Sequence, residues 1–324
     1  MKTRKLGWTD LEITTMGMGT YALGGGDWQY GWGAQDDNDS IAAIKQAFEL
    51  GINWIDVAPA YGLGHAEIVT GQVLKDISDE IIVATKCGLS WDENGTINMA
   101  LGGDTIRQEV EGSLKRLNVD VIDLFQIHWP NPDEGIESAW TAIGEMIKEG
   151  KIRYAGVSNF SLDQLKRAQA IHPIASLQPP YSMVERGIEN GILDYCAENN
   201  IGVIVYSPME SGLLTGKFSA EHMASLPDND WRKTASHFTE PEFSLNLELV
   251  EGLRPIAKRN GKSIPELAIA WTLTRSEITA AIVGARRPSQ IKGTIGAADW
   301  QLSSEDLKEI NALLQHRENA LAQA

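Results

Sequence analysis

Cysteine is nearly absent: Cys87 and Cys196 are the only two in 324 residues. No CxxC pair occurs, so neither a disulfide-stapled scaffold nor a metal site fits the chain. Positive charge is scarce as well. Lys and Arg total 28 against 44 Asp and Glu, a formal net charge of −16. Such a surface repels nucleic acid and anionic membranes, which argues against both as partners. No apolar run approaches the ~20 residues of a spanning helix. The basic start Met1-Lys2-Thr3-Arg4-Lys5 leads into no apolar signal segment. A cytoplasmic protein is the expectation. A GxGxxG after the first strand-like run is also missing, because Gly17-Met18-Gly19 and Gly24-Gly25-Gly26 do not complete it. An open-sheet dinucleotide site is therefore unsupported.

The chain is 43% hydrophobic and 22% charged, enough apolar residues for a large core. Short Val/Ile-rich runs alternate with helical patterns about every 30–40 residues, the rhythm of repeated βα units. Strands are expected at 15–20, 53–56, 81–86, 122–128, 154–158, 175–178, 202–206 and 280–284. They show little polar alternation, as strands covered on both faces do. Helices are expected at 39–50, 105–117, 136–149, 162–170, 188–199, 264–274 and 288–297. Ser161 with Gln164 forms a capping signature for the fourth of these. Eight strands with interleaved helices and no composition break indicate an α/β fold. We expect a closed (β/α)8 barrel, with residues 1–324 as one domain. Residues 1–14 read as a hairpin across the barrel floor. Residues 209–262 read as an insertion that ends in a helix at 242–260, and 303–317 as a terminal amphipathic helix.

On such a barrel, functional groups gather at the C-terminal ends of the strands. Asp56, Lys86 and His128 end the second, third and fourth strands, and Tyr61 lies in the loop just beyond Asp56. A phenol is a slow acid at neutral pH, and a neighbouring ammonium is expected to lower its pKa. Asp56 would hold Lys86, and His128 would hydrogen-bond the substrate oxygen or the tyrosine. The chemistry implied is general-acid delivery of a proton to a carbonyl. Each residue alone has a plainer reading: a turn cap, a packing ring, a solvated strand end, a core histidine. Together, at consecutive strand ends, a shared pocket explains them better.

Longer motifs carry a resemblance. They are Asp56-Val57-Ala58-Pro59-Ala60-Tyr61-Gly62 with Glu67, Ala84-Thr85-Lys86, and Asp120 to Pro130. Next come Ile152 to Phe160, Gln178, Tyr206-Ser207-Pro208, Gly212 to Lys217, and Ile282 to Arg286. In this order, over nearly the whole chain, they resemble the aldo-keto reductases, most closely the bacterial general-stress and inositol-operon group. The resemblance implies an NADPH-dependent carbonyl reductase with the tetrad Asp56, Tyr61, Lys86 and His128. Tyr61 would be the acid in reduction and the base in oxidation. Ser158, Asn159 and Gln178 would hold the nicotinamide carboxamide, and Tyr206 would stack on its ring. Ser207, Leu213, Gly216 and Lys217 fall where the family's loop crosses the pyrophosphate. Arg232 either joins that clamp or is a solvated loop arginine. Gly284, Ala285 and Arg286, ahead of a helix near Pro288, suit the 2′-phosphate of NADPH rather than NAD, with Arg287 adjacent. Gln290 matches the adenosine-side glutamine. The family often has Glu-Asn where this chain has Gly293-Thr294, so one contact near the adenine is missing.

Aromatic residues crowd the expected rim. Tyr21, Trp28 and Trp129 are assigned to the substrate pocket, and Trp91 to loop packing. The short segment after Arg317 implies an open site. Two functions compete: a reductase of small-molecule aldehydes and ketones, and a non-catalytic NADPH-binding module that senses redox state. The oligomeric state is not encoded in any motif.

Overall fold

The computed structural model describes residues 1–26, 28–77, 80–228 and 230–324. Two short strands, β1 (Thr3–Lys5) and β2 (Glu12–Thr14), pair as an antiparallel hairpin before the first barrel strand. In chain order there follow β3 (Met16–Gly19), β4 (Trp54–Asp56) and β5 (Ile82–Cys87). A second hairpin, β6 (Leu89–Trp91) with β7 (Ile97–Met99), leaves the rim. Then come β8 (Ile122–Ile127), β9 (Ile152–Ser158), β10 (Ser176–Gln178), β11 (Gly202–Val205) and β12 (Ile278–Gly284). The strands β3, β4, β5, β8, β9, β10, β11 and β12 close into one barrel, each parallel to its neighbours. This is the expected (β/α)8 architecture. All eight expected strands are present, within one or two residues at their ends.

Inside the barrel, the floor is sealed by side chains. Leu6, Leu11 and Ile13 from the hairpin pack with Trp54, Leu124, Ala175, Ile204 and Ala280. Trp54 lies flat across β3, where a Cβ on Gly17 would sit 2.2 Å from its ring. Its indole N–H donates to the Thr14 carbonyl at 2.9 Å, so even this buried polar atom is satisfied. Leu6 closes against Gly202 in the same way.

The outer helices bury apolar stripes against the strands. Asp37–Glu49 begins where the Asp36 carboxylate accepts from the N–H groups of Asn38 and Asp39. Leu162–Gln169 starts on the expected Ser161–Gln164 box. The helix His65–Lys75, which follows the Tyr61 loop, was not among those expected. Six of its eleven residues are buried, including Glu67 and Thr70, and this blurred its stripe. The β6–β7 hairpin was also missed, although its Asn94-Gly95 turn is a strong hairpin signal.

The insertion is a series of short turns followed by Glu242–Arg259. It has its own small core of Leu213, Phe238 and Phe243. The terminal helix Ser304–Leu321 runs four residues past its expected end and packs on Glu242–Arg259. No helix among the described residues is long and apolar enough to cross a membrane.

Candidate active site

Seven of the eight barrel strands deliver a polar or aromatic residue to one rim, at the end or just beyond it, and β12 delivers a glycine. β4 ends at Asp56, β9 at Ser158, β10 at Gln178 and β12 at Gly284. Lys86 is the next-to-last residue of β5. His128 follows β8, Tyr206 follows β11, and Tyr21 opens a short turn after β3. The parallel closed topology leaves these groups no other common meeting place.

At the centre, the Lys86 ammonium is wholly buried and has three partners. It donates to Asp56 Oδ2 at 2.7 Å, to the Val57 carbonyl at 3.0 Å and to Tyr61 Oη at 3.1 Å. Asp56 Oδ1 accepts from Gln178 Nε2 at 2.7 Å. His128 stands edge-on to Tyr61 with ring centroids 5.7 Å apart. Its Nδ1 is buried and has no partner among the described residues. All four expected tetrad residues therefore meet.

Burial dominates their ionisation. The Tyr61 phenol is raised well above its ordinary 10.0 by burial, with Asp56 adding to the rise. This reverses the expectation that Lys86 would lower it: the desolvation of a phenolate outweighs one nearby ammonium. Lys86 is lowered by burial, against the pull of Asp56 and Glu67. His128 is lowered well below 6.5 by burial and by the charge of Lys86. Behind the pair, Glu67 accepts from Thr85 Oγ1 at 2.7 Å and from Arg116 Nε at 2.6 Å, which fixes the outer face of β5.

A second group interlocks beside the first. Ser158 Oγ donates to the Gln178 carbonyl at 2.7 Å. Asn159 Nδ2 donates to the His128 carbonyl at 2.9 Å and to Ser158 Oγ at 3.0 Å. Asn159 Oδ1 accepts from Tyr206 Oη at 2.8 Å, which fixes that ring at the rim. Asn159 reaches these three partners from a left-handed backbone, φ 63°. Past Tyr206, the chain at Ser207, Glu210, Ser211, Gly212 and Gly216 also takes positive φ. Such turns gather N–H groups into an anion-binding concavity. Gly216 favours glycine because it sits at φ 71°, and a Cβ there would also press on Ile264 Cδ1. The Leu213 side chain is instead wholly buried in the insertion's core, so only its backbone faces the loop. Lys217 is exposed.

Arg232 is not a solvated loop arginine. It pairs with Asp230 at 2.7 Å and lies over the Trp32 ring at 5.2 Å. It thus bridges the insertion to the loop after β3.

Farther along the rim is a cavity of about 720 Å3, lined by Ala34, Gln35, Asp36, Asp39, Arg286, Arg287 and Gln290. The Arg286 guanidinium faces residues 32–35. The helix after it, Pro288–Lys292, has only five residues, too few to make its dipole a binding feature. Gln290 Oε1 already accepts from the N–H groups of Arg286 at 2.7 Å and Arg287 at 3.1 Å. Its carbonyl oxygen is used within the chain. Ala285 is buried and Gly284 exposed. Thr294 turns inward, its hydroxyl donating to the Gln290 and Ile291 carbonyls.

Tyr21 and Trp28 wall the cluster, with ring centroids 5.1 and 6.3 Å from Tyr61. Trp129 is 40% exposed and holds to no aromatic neighbour among the described residues. Trp91 packs under Arg116, as expected. Trp32 stands among the aromatic residues expected on the rim in the loop after the first strand. Gln35 joins the rim without having been singled out, since it sits at no strand end.

A closed parallel barrel with a buried Lys–Asp–Tyr cluster on its C-terminal rim is the layout of a barrel enzyme. The chain belongs to the aldo/keto reductase family, whose model matches residues 15–315. It is 40% identical over 311 residues to the aldo-keto reductase YhdN of Bacillus subtilis, covering 95% of this chain and 92% of that one. It is 34% identical over 320 residues to an NADH-specific methylglyoxal reductase of Escherichia coli, covering 94% and 96%. Among solved structures, the glycerol dehydrogenase AKR11B4 of Gluconobacter oxydans superposes with a TM-score of 0.89 at 35% identity, over 98% of this chain and 96% of that one.

Proposed function

We propose that this chain is a nicotinamide-dependent reductase of small aldehydes and ketones, with NADPH as the preferred donor. The observation that carries the proposal is the Tyr61 hydroxyl 3.1 Å from a buried ammonium that Asp56 holds at 2.7 Å. The chain's own residues fit a nicotinamide dinucleotide along the rim. Ser158, Asn159 and Gln178 present amide and hydroxyl groups suited to a carboxamide. Tyr206, its hydroxyl fixed by Asn159, offers a flat ring face. The positive-φ turns of 207–216, with Lys217 beside them, suit a pyrophosphate. Arg286 and Arg287 suit a 2′-phosphate.

When bound, the nicotinamide supplies the hydride. The residues of the chain do the rest. Tyr61 donates its proton to the carbonyl oxygen and recovers it from the alcohol in the reverse direction. Lys86 stabilises the phenolate left behind, and Asp56 keeps the ammonium directed at it. His128, kept neutral, stands edge-on to Tyr61 and offers an uncharged imidazole beside the proton donor. Tyr21 and Trp28 exclude water and present apolar surface to a short substrate.

The methylglyoxal and glycerol activities named for the relatives are both on short oxygenated carbon chains, in keeping with that small aromatic pocket. An absorbance assay of NADPH and NADH consumption across aldehydes and ketones tests the reading. Tyr61→Phe is expected to lower kcat at least about 100-fold, the usual scale of a general acid, while cofactor affinity stays. Turnover by Tyr61→Phe at the wild-type rate would remove the acid assignment. Tight NADPH binding with no turnover of any carbonyl would make the barrel a sensing module instead.

A further inference from the structure

The Arg286 guanidinium is held at three points, and its partners belong to the chain itself. Its Nε donates to Gln35 Oε1 at 2.6 Å and its Nη1 to the Trp32 carbonyl at 3.1 Å, while Nη2 donates to the Ala34 carbonyl. Each nitrogen has one N–H engaged, which leaves two of the five free, one on each Nη. A guanidinium grips a phosphate best through two parallel N–H groups on one edge. The Nε–Nη2 edge is filled by Gln35 and Ala34, and the Nη1–Nη2 edge shares both its nitrogens with carbonyls. Gln35 is itself firmly placed. Its Nε2 donates to the Arg286 carbonyl at 3.0 Å and to Ser40 Oγ at 3.0 Å. The side-chain amide thus holds Arg286 at both backbone and guanidinium.

We propose that Gln35 is a specificity-determining residue: an internal competitor that holds the Arg286 guanidinium against the loop 32–35 and subtracts from the affinity for a 2′-phosphorylated cofactor. The inference rests on the reading of the Arg286 cavity as the 2′-phosphate site. A phosphate gripping the Nε–Nη2 edge must first displace the Gln35 amide oxygen. A cofactor with a free 2′-hydroxyl has no charge to spend on that exchange and leaves the lock closed. Discrimination between the two cofactors is therefore smaller than two adjacent arginines would otherwise produce. The carboxylates of Asp36 and Asp39 on the same cavity add to the cost of bringing in a phosphate.

The test is the dissociation constant of each cofactor for the free protein, read by quenching of tryptophan fluorescence with no substrate present. Two variants are compared: Gln35→Ala, and Gln35→Met, which keeps the length of the side chain and removes its acceptor. Both are expected to tighten NADPH at least about fivefold, a modest share of the value of a hydrogen bond to a charged group, and to leave NADH within about twofold. If Gln35 merely positioned the loop, its loss would weaken both cofactors alike. That result, or an unchanged NADPH to NADH ratio, overturns the proposal. Arg286→Ala separates the two levels of the argument. It should weaken NADPH at least about tenfold and NADH little, the ordinary scale of a lost charged pair. An unchanged NADPH constant in Arg286→Ala would remove the cavity reading, and the inference with it. Weakened NADPH in Arg286→Ala with no gain in the Gln35 variants would remove the inference alone.

Discussion

Tyr61, Lys86 and His128 are each pushed by burial toward the neutral form, and Asp56 is the counter-ion that keeps the lysine useful. The sign matters for the pH profile. In reduction the phenol works protonated, so a pKa raised above 10.0 keeps it loaded through neutral solution. His128, lowered below 6.5, stays neutral there and contributes no step. Lys86 is lowered from 10.5 by burial, against the pull of Asp56. The kcat for reduction should show no inflection near pH 6.5 and should fall only on the alkaline side. His128→Gln should keep that shape at a lower plateau. An acid limb near 6.5 in the wild type that vanishes in His128→Gln would mean that the imidazole titrates during catalysis.

The loops that carry these residues are locked by contacts between elements. Gly62, one residue after Tyr61, sits at φ 62° against Gly24 of the neighbouring loop, and a Cβ there would lie 2.0 Å from the Gly24 carbonyl oxygen. Gly62→Ala should cost about 1–3 kcal/mol from the backbone conformation alone, and the overlap pushes Tyr61 off its position. A loss of kcat beyond about tenfold is expected, alongside a lower urea midpoint. An unchanged kcat would show that the loop adapts. In the insertion, His237 lies between Glu185 and Glu242, with Glu210 also near, and these carboxylates raise its pKa to about 9. Because the folded value exceeds the ordinary 6.5, its stabilisation is full below 6.5 and is lost as the pH rises through about 9. The Tm advantage of wild type over His237→Gln should follow that course. A difference that grew with pH would contradict it.

The whole molecule separates stability from chemistry along the barrel axis. Leu6, Leu11 and Ile13 seal one end, and the Lys86 cluster occupies the other. Leu6→Ala should therefore cost about 2–5 kcal/mol in a denaturation experiment and leave kcat unchanged. A large fall in kcat would mean that the floor communicates with the rim. Much of this was legible in order along the chain. Val/Ile-rich runs fall at even spacing, and burial on both faces suppresses alternation, so the parallel strands announce themselves. Strand ends carrying Asp56, Lys86 and His128 pointed to one rim because a barrel has only one C-terminal face. The helix His65–Lys75 was hidden because Glu67 and Thr70 face partners inside the protein while the apolar Ile68 faces water. What only the tertiary structure decided is which groups are already satisfied. Gln290 spends its oxygen on its own helix, Leu213 turns into a separate core, Arg232 lies on Trp32, and Gln35 holds Arg286 from 251 positions away. Identity and spacing along a chain declare what a residue can bind. Its partner is set by distances that exist only after the barrel has closed.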